Sequence, residues 1–224
     1  MTAPASPSWK TAGGLFVTFE GIEGCGKSTH LRRLAAVLRT AGYDVVEARE
    51  PGGTALGQAL RDLLLTPSSP PPAPLAELLM YCADRAQHVA HVILPALAEG
   101  RIVLCDRFSD STIAYQGYAR GLDLELVRTL DARARGGLEP SLTILLDCPV
   151  ADGIARARHR TGEADRFEQE TIAFHEAVRD GFQALAAAAP TRYRVIDSSR
   201  PADQVARDVE AAVHTVLATE TGPS

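Results

Sequence analysis

The sequence predicts an α/β fold, a five-stranded parallel sheet with helices on both faces. Three observations carry that prediction. Short apolar runs that read as strands alternate with longer stretches of helical periodicity, in the order β-α-β-α-β-α-β-α-β-α. The runs are apolar almost throughout, as expected of strands covered on both faces. The chain has 224 residues, 46% hydrophobic and 23% charged, which suits one domain with a substantial core rather than a disordered chain or a coiled coil.

The elements follow in order. Residues 1–14 are small and polar, lack the apolar centre of a signal peptide, and are expected to be a disordered extension before a single domain over 15–218. Leu15–Glu20 (LFVTFE) is the first strand, stopped by glycine. From Ser28 to Thr40, apolar residues at 31, 34, 35, 37 and 38 make one helical stripe, ended by Gly42. Tyr43–Ala48 is a second strand, and Thr54 can cap a helix reaching Leu65. Residues 67–74 hold five of the fourteen prolines and read as an irregular or polyproline-like loop. Leu75 to Glu99 reads as a long helix whose end Pro95 kinks.

Arg101–Cys105 is a buried strand that ends at Asp106, followed by helical stretches over 109–117 and 123–135. Leu142–Leu146 is the fourth strand, and Asp147 after it reads as a helix cap before Pro149. Helical patterns cover 150–158 and 167–189, Arg192–Ile196 is the fifth strand, and 201–218 is a closing helix before a loose tail over 219–224. His88 and His91 lie three apart with no third ligand in view, so they read as helix-surface residues.

Composition narrows the function. A net charge of −5 argues against a protein that coats nucleic acid, and no stretch approaches the ~20 apolar residues that span a bilayer. Cys25, Cys82, Cys105 and Cys148 form neither a C-x-x-C pair nor a zinc spacing, which points to reduced thiols and a cytoplasmic protein. Of 23 basic residues 21 are Arg, the two lysines are Lys10 and Lys27, and Asn is absent. A switch protein that reads guanine through Asn-Lys-x-Asp is therefore excluded.

Gly21-Ile22-Glu23-Gly24-Cys25-Gly26-Lys27-Ser28 fits G-x-x-x-x-G-K-[ST] between the first strand and the first helix. The glycines let backbone N–H groups converge on phosphate oxygens, and the helix N-terminus, opening at Ser28-Thr29, adds positive potential. Lys27 offers a compact charge to the β/γ-phosphates and Ser28 a hydroxyl to Mg²⁺. The architecture expected is thus the three-layer P-loop NTPase fold. Ligands of such sheets lie beyond the carboxyl ends of the strands, so Asp106 can approach the metal, directly or through water, while Arg107 faces a second anionic group.

Five segments in this order resemble the bacterial thymidylate kinases over nearly the whole chain, from Phe16 to about Ala218. They are the loop GIEGCGKST, Arg49-Glu50-Pro51-Gly52-Gly53-Thr54, Tyr81-Cys82-Ala83-Asp84-Arg85, Asp106-Arg107-Phe108 followed by Ser111-Thr112-Ile113-Ala114-Tyr115-Gln116-Gly117, and an Arg-rich stretch ending Asp165-Arg166-Phe167-Glu168. The resemblance implies transfer of the γ-phosphoryl group of ATP to dTMP, giving dTDP and ADP, a step in dTTP synthesis. It implies that Arg107 holds the acceptor's 5′-phosphate, Arg85 reaches the thymine carbonyl edge, and Tyr81 stacks on the base. Glu23 lies beside the acceptor's sugar, Thr112 and Tyr115 fall at the base and the 2′ face, and Pro51 belongs to a turn near the acceptor. Gln116, with Gly117, Tyr118 and Arg120, serves either the acceptor pocket or a turn.

Residues 156–166, RARHRTGEADR, break at Thr161-Gly162 with charges of both signs on either side, the pattern of a short lid over about 156–168. Family members with a plain residue in the place of Cys25 supply a lid Arg to the transferring phosphate. Arg160 ranks first for that role, then Arg158 and Arg156, with Arg166 as a structural residue. The family also implies a homodimer, for which the 75–99 helix is the candidate surface. Two other readings stay in view, a deoxynucleoside kinase using Glu23 as base, and a nucleotide-dependent binding module.

Overall fold

The computed structural model describes residues 14–67, 70–159 and 165–220. Its five strands are β1 (Leu15–Glu20), β2 (Val45–Arg49), β3 (Ile102–Asp106), β4 (Leu142–Asp147) and β5 (Tyr193–Asp197). All neighbours pair in parallel in the order β2-β3-β1-β4-β5. The chain runs to one side of β1 for β3 and β2 and to the other for β4 and β5, so the order reverses at β1. That reversal opens a crevice beyond the carboxyl ends of β1 and β3. Every residue of β1 is buried, and between β1 and β4 the hydroxyls of Thr18 and Thr143 bond each other at 2.9 Å inside an apolar core.

Nine α-helices among the described residues cover the two faces: α1 (Lys27–Thr40), α2 (Ala55–Leu65), α3 (Pro74–His88), α4 (Leu94–Ala98), α5 (Ser109–Thr112), α6 (Leu124–Ala134), α7 (Val150–Arg158), α8 (Ile172–Ala188) and α9 (Ala202–Glu220). Thr54 caps α2 as expected, accepting from the Gly57 N–H at 3.0 Å. The second strand starts two residues later than its composition indicates. Tyr43 N–H is taken by Leu38 O at 3.0 Å in the turn that closes α1, so Tyr43 cannot begin the ladder.

The expected long helix over 75–99 widens rather than simply kinking. Residues Val89–Ile93 are π-helical, and the Leu94 N–H reaches back five residues to Val89 O. Pro95 brings no N–H and its ring crowds the preceding turn, which the wider turn accommodates. A second π-helical segment, Ile113–Ala119, replaces the ordinary helix expected to 117. The pattern over 167–189 starts as turns, because the Asp165 carboxylate accepts the N–H groups of Phe167 and Glu168, and α8 begins only after Thr171 caps it. Asp147 is not a helix cap. Its two oxygens accept from Arg179 Nε and Nη2, both at 2.7 Å, and α7 starts without a side-chain cap. The expected extension over 1–13, residues 221–224 of the tail, and lid residues 160–164, Arg160 among them, lie outside the described residues.

Candidate active site

The loop from Gly21 to Ser28 leaves β1 and enters α1 at the crevice. Gly24 has φ +71°, and a Cβ there would lie 1.9 Å from the carbonyl oxygen of Gly153 in α7. Only glycine therefore lets loop and helix touch at this point. Lys27 is 7% exposed, and its ammonium donates to Gly21 O at 2.9 Å and Ile22 O at 2.7 Å. Ser28 in the first turn of α1 donates its hydroxyl to Asp106 Oδ2 at the end of β3. The two residues expected to meet a metal are thus in contact. A hydroxyl and a single carboxylate are hard oxygen donors, and no cluster of three or more His, Cys, Asp or Glu that could hold a metal occurs among the described residues. That sparse set fits Mg²⁺, which takes most of its ligands from phosphate and water.

Arg107 sits in the left-handed region at φ 67°, an uncommon conformation for a residue with a Cβ and one that clusters at functional sites. Its N–H is anchored on Phe19 O at 3.0 Å. The guanidinium stacks on Tyr115, donates from Nη1 to Gly21 O at 3.0 Å and Ser111 Oγ at 3.1 Å, and from Nη2 to Glu23 Oε1 at 2.9 Å. Tyr115 donates its hydroxyl to the same Glu23 oxygen. Burial works to raise the Glu23 carboxyl, but Arg107, His175, Lys27 and Tyr115 together hold it well below the usual carboxylate range. Beneath them, Glu20 accepts from Phe108 N–H at 2.8 Å and Ser111 Oγ at 2.6 Å. Its carboxyl is raised, by burial first and then by Asp110. Glu20 is a residue that motif reading missed, hidden at the end of a run that looked merely apolar.

A second arginine, this one buried, forms the far wall. Arg85 is 1% exposed and donates from Nε to Glu50 Oε2 at 2.9 Å, and from Nη1 to Asp131 Oδ1 at 2.7 Å and Thr112 Oγ1 at 2.9 Å. His88, read from the sequence as a surface residue, is fully buried with Nδ1 2.9 Å from Glu50 Oε1. It faces inward because the helix that carries Arg85 places the i+3 residue on the same side. His91 is exposed as expected. Glu50 lies in the 49–54 segment without a role assigned to it there, and Asp131 lies in no motif. Pro51 follows a cis peptide bond from Glu50, and its carbonyl accepts from Arg61 at 2.9 Å. Gln116 is buried and spends its amide on Glu77 at 2.8 Å. Tyr81 leans on Phe167, with ring centroids 6.4 Å apart.

These groups enclose one cavity of about 990 Å³. It is lined by Glu23 to Thr29 at one end and by Pro51, Tyr81, Arg85, Thr112, Tyr115 and Gln116 at the other, with Asp106 and Arg107 between. Gly21 and Ile22 stand behind the wall and act through the carbonyls that hold Lys27. Arg156 reaches the rim and donates to Ser198 O at 2.8 Å, and Arg158 is exposed. Arg166 is buried away from the cavity between Leu64 O and Glu77, in keeping with its structural reading.

The family model described as thymidylate kinase matches residues 19–209, which contain every one of these groups. The chain belongs to the thymidylate kinase family. It is 54% identical over 191 residues to the thymidylate kinase of Geobacter sulfurreducens, covering 83% of this chain and 90% of that one. It is likewise 54% identical over 204 residues to the thymidylate kinase of Pseudomonas putida, covering 91% and 97%. The fold matches the crystal structure of the thymidylate kinase from Ehrlichia chaffeensis with a TM-score of 0.73 at 35% identity, over 90% of this chain and 99% of that one.

Proposed function

We propose that this chain is a dTMP kinase that transfers the γ-phosphoryl group of ATP to dTMP, giving dTDP and ADP. The observation that carries the reading is one cavity with a phosphate loop at one end and two arginines, the partly buried Arg107 and the buried Arg85, towards the other. Membership of the family supports it.

The donor's phosphates bind the loop N–H groups and Lys27, whose ammonium turns from the Gly21 and Ile22 carbonyls to the phosphate oxygens. Ser28 and Asp106 would hold Mg²⁺, directly or through water, and the ion would supply charge neutralisation to the donor's phosphates. Arg107 takes the acceptor's phosphate, since a guanidinium fork matches phosphate oxygens and keeps its proton at neutral pH. Arg85 presents its buried edge to the base, oriented by Glu50 and Asp131. Tyr81 stacks on the base, Thr112, Tyr115 and Gln116 line its pocket, Glu23 faces the sugar, and Pro51 shapes the turn alongside. A phosphate monoester is largely dianionic at neutral pH, so no strong general base is needed and catalysis is mainly positioning and charge stabilisation. A lid arginine, Arg160 first, completes the charge around the moving phosphoryl group.

The same reading takes the enzyme to be a cytoplasmic homodimer acting on small molecules, not on nucleic acid or a membrane. No described helix is long and apolar enough to cross a membrane. Leu56 and Leu63 of α2 and Leu75 and Leu79 of α3 are half-exposed or more on packed neighbouring helices, an apolar face suited to a second copy.

A panel of nucleosides and nucleoside monophosphates with ATP and Mg²⁺ tests the assignment. Turnover of dTMP with little of thymidine is expected. Turnover of thymidine but not dTMP would make the enzyme a nucleoside kinase, and ADP release at background with every acceptor would make the chain a binding module.

A further inference from the structure

Three of the buried side-chain polar atoms without a hydrogen-bond partner belong to one pair of residues: Glu23 Oε2 and both ring nitrogens of His175. His175 sits in the first turns of α8, is 1% exposed, and places Nδ1 3.2 Å from Glu23 Oε2. The contact is close enough for an ion pair but is not aligned as a hydrogen bond. Buried polar groups are almost always satisfied, so a cluster of unmade bonds beside a catalytic loop calls for a functional reason.

The other side of Glu23 supplies it. Oε1 accepts from Arg107 Nη2 at 2.9 Å and from the Tyr115 hydroxyl. Arg107 thus spends on Glu23 its Nη2, one arm of the fork that a phosphate would otherwise use. When Arg107 turns to the acceptor's phosphate, Glu23 keeps the Tyr115 hydroxyl and the more distant charge of Lys27 but loses its directly bonded cation, which is unfavourable in so buried a place unless another donor takes over. Among the described polar groups that contact Glu23, His175 is the one on the Oε2 side. The two residues also line a smaller cavity of about 270 Å³ behind the loop, which leaves the carboxylate room to rotate.

We infer that His175 is a positioning residue: it receives Glu23 as Arg107 exchanges that carboxylate for the acceptor's phosphate. The inference rests on the assignment of Arg107 to the acceptor subsite. In the free enzyme Glu23 stands in for the phosphate, and His175 lowers the cost of its displacement. The effect falls on acceptor binding and not on the phosphoryl-transfer step.

Steady-state kinetics of His175→Phe, His175→Leu and His175→Asn, each with a thermal melt, test this. The Phe and Leu variants lack a donor and are expected to raise KM for dTMP about tenfold, with kcat and KM for ATP changed less than about threefold. Asn carries an N–H close to the place of Nδ1 and is expected to restore KM for dTMP to within about threefold of the parent. Unchanged KM for dTMP in stable Phe and Leu variants overturns the inference. So does a fall in melting temperature with both KM values moving together, which marks a packing role. Arg107→Ala separates the levels. An unchanged KM for dTMP in that variant overturns the subsite assignment itself, and a raised one beside an unaffected His175→Leu overturns this inference alone.

Discussion

Ser28 and Asp106 meet across the mouth of the cavity, the hydroxyl of the first turn of α1 donating to the carboxylate that ends β3. The contact joins segments 78 residues apart, and on the proposed reading it is where Mg²⁺ would enter. Asp106→Asn keeps an acceptor for Ser28 but removes the charge. It is expected to lower kcat at least about tenfold and to raise the Mg²⁺ concentration for half-maximal rate, read by titrating Mg²⁺ at saturating ATP and dTMP.

Lys27→Arg is not a conservative change here. The ammonium sits 2.7 and 2.9 Å from two loop carbonyls at 7% exposure, a socket for a compact point charge. A planar fork with five donors cannot enter it without displacing the loop. Loss of about a hundredfold or more in kcat is expected with the melting temperature within a few degrees of the parent. Near-parental kcat would count against the whole site.

Arg107→Ala divides the two subsites. The side chain touches Gly21 O, Ser111 and Glu23 but none of the loop N–H groups. KM for dTMP is expected to rise about a hundredfold while ATP affinity, measured by calorimetry, stays within about threefold. The reverse pattern would interchange donor and acceptor ends.

Asp84 gives the enzyme a pH-dependent weakness. Its carboxyl is fully buried and pushed up to about 6 from 3.8, by burial first and by Glu50 second. Between pH 3.8 and about 6 the folded state therefore binds more protons than the unfolded chain, so stability falls as pH rises through that window and the full cost applies above it. Asp84→Asn keeps the acceptor for Gly52 N–H and removes the charge. Melting curves are expected to show a gain of about 3 kcal/mol at pH 7.5 and almost none near pH 4. An equal gain at both values would sink this account.

The order of strands and helices was legible because each element announces itself within a few residues, as LFVTFE and LTILL do. The phosphate loop was legible for the same reason, its spacing being a local backbone requirement. What escaped depends on the fold bringing distant residues together. Glu50 and Asp131 hold Arg85 across 35 and 46 positions, and Asp147 finds Arg179 across 32. His88 reads as surface because it and His91 have no third ligand in view, and the partner that a buried imidazole needs there, the Glu50 carboxylate, lies 38 positions away. The π-helical widening before Pro95 is a tertiary answer to a local fault, and periodicity alone registers the fault without the answer.

The socket around Lys27 has a consequence for chemical labelling. The sequence contains two lysines, and Lys27 is the one that falls among the described residues. Among the described residues an acylating reagent therefore meets one ε-amine, at the point where the proposed reading docks ATP. Its modification, followed by mass spectrometry, should report nucleotide occupancy in the unmutated protein.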